Sequence, residues 1–173
     1  MGAQPISGEA PWRRSRQVVR LADPAAGSDW LATVPAGHVW LLEAIGARLI
    51  TSATVMSRVP NLTVGDGVGT VLEIAPAGPV GAGETKRLAW LPDVGAIDAL
   101  GGGVAPLPRI ALGPGWTVGT TTLGLQAGDT WTQVRIVVVD LTVRAGPVDL
   151  GLVPELRVEV VAPAEAGGGG GGG

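Results

Sequence analysis

Apolar residues recur along this chain at intervals of two, in short runs broken by Gly and Pro, the alternation of strands rather than helices. Arg16 to Ala22 and Ser28 to Val34 read as short strands. Pro35-Ala36-Gly37 turns the chain into Val39 to Val55. Asn61 to Ala75 reads as a hairpin around Gly65-Asp66-Gly67, residues suited to the positive φ of tight turns. Glu84 to Leu91 alternates with Lys86, Leu88 and Trp90 on one face. Gly113-Pro114-Gly115 repeats the Pro-Gly turn and leads into Trp116 to Leu125. Thr130 to Val143 is the longest β pattern, and Leu156 to Val161 adds a candidate near the end. The pattern predicts about nine to eleven strands, the spacing of a β-sandwich.

Two strands do not alternate cleanly. In Val39 to Val55 both faces carry apolar residues, which predicts a strand covered on both sides in the middle of the fold. Gly46 marks a bulge or a break in it. The spacing of Leu41, Leu42, Ile45 and Leu49 also allows a helix, but Gly46 and the following Thr51, Thr54 and Val55 favour a strand. Thr130 to Val143 is polar at its start and apolar in its middle, so it is expected beside Val39 to Val55. The stretch from 93 to 108 is Gly-rich and reads as a long functional or interface-forming loop without regular structure. Residues 1–15 read as an N-terminal arm and 16–145 as an antiparallel, jelly-roll-like β-sandwich body. Residues 146–173 read as a C-terminal arm with one strand and a run of seven glycines.

Composition narrows the class. Hydrophobic residues make up 46% of 173 positions, enough for a core, with six Trp and neither Phe nor Tyr. There is no Cys, so disulfides, thiolate metal sites and cysteine nucleophiles are excluded. A net charge of −3 argues for neither nucleic acid nor an anionic membrane. The charge is polarised, however. Arg13, Arg14, Arg16 and Arg20 face only Glu9 in the first twenty residues, whereas Asp149, Glu155, Glu159 and Glu165 face only Arg157 beyond position 145. The two ends are oppositely charged and can meet, within one subunit or between neighbours. No secretory signal or transmembrane run is expected, and the Asn61-Leu62-Thr63 sequon reads as coincidence.

Chemistry is sparse. The single histidine, His38, sits in a turn, and sequence places neither a nucleophile nor an orienting carboxylate beside it. One His without Cys does not make a zinc site, and no acidic calcium loop is present. Gly65 to Gly69 and Gly113 to Gly115 open no helix, so a phosphate-loop reading fails. A glycosidase would need a carboxylate pair in an aromatic-lined cleft, and here only tryptophan supplies aromatics. Trp40, Trp90 and Trp116 are expected in the core. Trp12 lies among arginines instead, so Trp12, Arg13, Arg14 and Arg16 are the candidate interface residues. No catalytic, cofactor-binding or metal-binding residue is assigned, and no cofactor is expected.

The order of several segments resembles small virion structural proteins of tailed bacteriophages and phage-like particles. The matching pieces are Pro35 to Trp40, Thr51 to Val55 with Arg58, Leu62 to Gly67, and Gly113 to Trp131 ending in Leu-Gln-Ala-Gly-Asp-x-Trp. The resemblance implies a β-sandwich or jelly-roll virion component without enzymatic activity, such as a capsid decoration, cement or head-spike protein. The implied partners are further copies of itself, as a trimer or other ring, and the major capsid protein. Neither nucleic acid nor membrane is among them, and a host-surface glycan is a further candidate. The implied location is the capsid exterior, after synthesis in the host bacterial cytoplasm. A neck or tail adaptor is the alternative within that class. A carbohydrate-binding module with Trp116 or Trp131 as platform is the alternative outside it.

Overall fold

The computed structural model describes residues 12–76, 78–99 and 101–143. They form an all-β, sandwich-like fold with no helix among the described residues. The strands are β1 (Trp12–Arg20), β2 (Leu31–Thr33), β3 (His38–Ile50), β4 (Val59–Gly65), β5 (Thr70–Ile74), β6 (Thr85–Leu91), β7 (Ile97–Ala99), β8 (Gly102–Pro106), β9 (Ala111–Leu112), β10 (Thr117–Leu123) and β11 (Thr130–Val143). The larger sheet has the order β1-β11-β3-β6-β8-β7, with β9 pairing onto β3. The smaller has the order β2-β10-β4-β5. One buried cluster joins them, with Trp40, Leu42 and Trp90 from the larger sheet and Leu62, Val64 and Val118 from the smaller.

β3 does pair with β11, over almost its whole length. Its two apolar faces have a different cause from the one expected. On β3 the register runs from Ala44 opposite Val137 to Leu42 opposite Val138, leaving Glu43 as an extra residue. This bulge switches which parity points inward. Trp40 and Leu42 are buried before it, and Ile45, Ala47 and Leu49 after it. β11 carries a second bulge between Thr132 and Arg135, where Gln133 adopts φ 56. Trp131 therefore joins Val134, Ile136 and Val138 in the core although its parity differs. A period of two, read straight through both strands, mixes their faces.

Other boundaries moved too. β1 begins at Trp12, so backbone pairing with β11 reaches into the stretch expected to be an arm. The 93–108 stretch contains β7 and β8, against the expectation of an irregular loop. β8 runs parallel to β6, the one parallel pairing in an otherwise antiparallel sheet. Glycines 101 to 103 conceal this from sequence, because strand pairing there is a backbone matter with no side-chain alternation to read. The hairpin expected around Gly65-Asp66-Gly67 is present, with Gly65 opposite Thr70. Asp66 caps its turn by accepting hydrogen bonds from Gly69 N and Val68 N, each 2.9 Å long. These hold its carboxyl below the ordinary carboxylate value. The Leu156 to Val161 strand and the oligoglycine run lie outside the described residues.

Two glycines make opposite predictions. A Cβ on Gly119 would stand 2.5 Å from the Trp30 backbone oxygen, where β10 passes β2. A Cβ on Gly46 would meet nothing within 4 Å. Gly119→Ala should destabilise the protein by about 1–3 kcal/mol, and Gly46→Ala should stabilise it by about 0.5–1 kcal/mol by restricting the unfolded chain. Urea denaturation of the two variants checks both signs.

Candidate interaction surface

The outward face of the larger sheet follows from the register. Residues whose neighbours along a strand are buried must point away from the core. On β11 these are Arg135, Val137, Val139 and Leu141, and Arg20, Val18, Arg16 and Arg14 of β1 lie directly opposite them and share that face. On β3 and β6 they include Arg48 and Arg87, which face each other across the pair. The outward positions of these four strands therefore hold six arginines, Arg14, Arg16, Arg20, Arg48, Arg87 and Arg135, and Glu43 is the one acid with them among the described residues. Its apolar members include Val18, exposed at 54%, and Leu41 and Val137, which are half-buried. The only lysine of the chain, Lys86, is buried on the inward side and bonds to Asp98 and the Pro79 carbonyl. Arginine over aliphatic side chains, without lysine, is the composition of an interface.

The opposite outer face, on the smaller sheet, is different. Its strands present Leu31, Thr33, Asn61, Thr63, Thr121 and Leu123, with Glu73 as the charged residue on that face among those described. Asn61 Nδ2 donates to Glu73 across the β4–β5 pair, so the sequon asparagine is engaged within the sheet. The molecule is thus basic on one broad face and nearly neutral on the other, a polarity invisible in its net charge.

On the basic face lies a groove of about 510 Å³. Its floor holds Leu41, Ile110 and Val139, and Arg14, Arg16 and Arg109 line it. Arg16 Nε lies 2.6 Å from Glu43 Oε2 as an ion pair without hydrogen-bond alignment. Arg109 donates to Asp93 at 2.6 Å, which raises its already high pKa and keeps it charged. Both contacts are solvent-exposed on the arginine side and screened by water, so a partner's carboxylates can compete for them. Towards the other end of the face, Arg48, Arg87 and Arg135 surround a second depression of about 190 Å³. Arg48 Nε is buried there with no hydrogen-bond partner among the described residues.

Of the four interface candidates, Arg14 and Arg16 lie in this groove. Trp12 and Arg13 pair through their backbones with Val143 and Thr142, and their side chains lie outside the described residues. The groove's other contributors, Arg109 and Ile110, were missed because only folding brings the segment before β9 alongside β3.

His38 gains a partner that sequence did not offer. Its Nδ1 lies 2.8 Å from Oδ2 of Asp140, a buried carboxylate on β11 that also accepts from Gln17 Nε2 at 3.0 Å. No hydroxyl among the described residues hydrogen-bonds to the ring, so the pair orients β1, β3 and β11 without a nucleophile to serve. Asp29 is similarly engaged: Thr120 Oγ1, Thr122 Oγ1, Thr122 N and Trp131 Nε1 all donate to it. Trp131 is fully buried, so it offers no stacking platform, and Trp116 is half-buried against the core.

Fold and surface together define a β-sandwich-like protein whose distinguishing feature is an arginine-rich, partly apolar sheet face. No family model matches the chain, and neither a curated protein nor a solved structure matches it.

Proposed function

We propose that this chain is a structural component of a phage virion, a decoration, cement or head-spike protein that works through subunit contacts and not through catalysis. The observation that carries the reading is the basic face of the larger sheet: six arginines over aliphatic residues against a single glutamate. Such a face suits a broad acidic surface, either on a capsid shell or on a neighbouring copy in a trimer or other ring.

Strand order supports the jelly-roll reading. Setting aside the short insertion of β7, β8 and β9, the sheets read β1-β11-β3-β6 and β2-β10-β4-β5. The chain passes between sheets at nearly every step, returning to the same sheet only in the β4–β5 hairpin. Such an order favours a reading as two Greek keys in a jelly roll, an architecture that recurs in viral capsid proteins.

The test is co-sedimentation with shells assembled from a tailed-phage major capsid protein, with mass spectrometry of the purified particle. The expected result is binding that weakens as salt is raised. Arg87→Glu with Arg135→Glu should weaken it by about tenfold or more without unfolding the body. Copy numbers matching the shell surface support decoration, and a single ring's worth of copies identifies a neck adaptor. Absence from the particle overturns the proposal.

A further inference from the structure

We infer that the groove between Arg14, Arg16 and Arg109 is the docking site for this chain's own acidic C-terminal segment, residues 148–161. The inference goes beyond the virion reading and stands whether or not that reading holds.

The groove has two chemical requirements. Its floor of Leu41, Ile110 and Val139 calls for apolar side chains, and its arginines call for carboxylates. The segment from Val148 to Val161 meets both: Leu150, Leu152, Val153 and Leu156 are interspersed with Asp149, Glu155 and Glu159. No described segment is so rich in both at once. The arginines on the groove side are already weakly paired with Glu43 and Asp93, so the site accepts carboxylates by its own geometry.

Chain continuity selects the same molecule as the source. The described chain ends at Val143 on β11, only four residues past Val139 on the groove floor. Gly146-Pro147 follows at once, a pair that favours reversal of direction. Asp149 lies six positions past Val143, a reach of about 20 Å when extended. A segment that turns back there lies over the outer face of the strand it has just left. An acidic partner that uses these arginines must then displace the segment, so it competes with assembly on this face.

Because the chain has no cysteine, one label can be placed at will. A nitroxide on Ala162→Cys of the full-length protein, one residue past the docking segment, should broaden the NMR signals of Leu41, Ile110 and Val139. The broadening should be independent of protein concentration and should vanish in Arg14→Glu/Arg16→Glu/Arg109→Glu. Full-strength signals at the groove in the otherwise unaltered protein overturn the docking. If broadening arises only when labelled chains are mixed with isotopically marked unlabelled ones, the occupant is a second copy, and the same-chain assignment falls. A triple variant whose NMR spectrum shows the body unfolded is replaced by Arg14→Gln/Arg16→Gln, for which the same loss of broadening is expected and its persistence overturns the site.

Discussion

Replacing Arg58 with methionine should destabilise the protein by about 3–5 kcal/mol, because it strands a buried carboxylate. Arg58 and Asp129 are both fully buried side chains. Arg58 Nε donates to Asp129 Oδ2 at 2.9 Å, and a terminal guanidinium nitrogen donates to Oδ1 at 3.0 Å. The same guanidinium bonds the backbone carbonyls of Thr54 and Met56, and Asp129 accepts from Ser52 N and Gln126 N at 2.7 Å each. The pair therefore ties the loop after β3 to the turn before β11. Burial alone would push the Asp129 carboxyl up, but the hydrogen bonds from Arg58, Ser52 and Gln126 outweigh it and hold it far below the ordinary range.

The sign for pH follows. An unfolded Asp titrates near pH ~3.9, and the folded one well below that. As pH falls below about 5, the unfolded chain takes up a proton that the folded chain refuses, and stability declines. The contribution is complete above that range and is lost as pH drops through the folded value. Urea midpoints at neutral pH and near pH 3 should show the loss in the unaltered protein. Arg58→Met should have a low midpoint at neutral pH and a flatter acid dependence. A midpoint unchanged at neutral pH would show that the clamp is dispensable. The double variant Arg58→Met/Asp129→Leu should recover part of the loss, since it leaves neither charge alone.

Trp131→Ala should cost about 3–5 kcal/mol, the range for emptying a large aromatic site in a core. The ring is fully buried at the β11 bulge and its Nε1 donates to Asp29 Oδ1 at 3.1 Å. Asp29 in turn holds Thr120 and Thr122 of β10, so the indole links the larger sheet to the smaller one. Trp131→Phe separates the two contributions. It keeps most of the volume and should cost only about 1–3 kcal/mol, chiefly for the hydrogen bond Asp29 loses. Equal losses in the two variants would mean that the hydrogen bond, and not packing, dominates. Calorimetry on both variants gives the comparison.

These two sites also explain segments singled out in the sequence. One is Thr51 to Val55 with Arg58, and the other is the Leu-Gln-Ala-Gly-Asp-x-Trp run ending in Trp131. In the fold they meet: Arg58 clamps Asp129, two residues before Trp131. Nothing in the sequence marks Arg58 as buried, because an arginine between Ser57 and Val59 reads as solvated until its partner, 71 residues away, is known.

Sequence alone was sufficient for the all-β class, for most strands, for the Asp66 hairpin and for the pairing of β3 with β11. Those features depend on local alternation, turn chemistry and the length of matching apolar runs. Only the tertiary structure decided which faces point where. Single-residue bulges at Glu43 and Gln133 invert the parity of the two longest strands, and pairing at Gly102 and Gly103 is carried by backbone alone. It also decided where the charge lies. The arginines of β1, β3, β6 and β11 are scattered between positions 14 and 135, and only register across four strands gathers them onto one face. Register is a long-range property, set where distant strands bury their apolar sides together, and no window along the chain contains it.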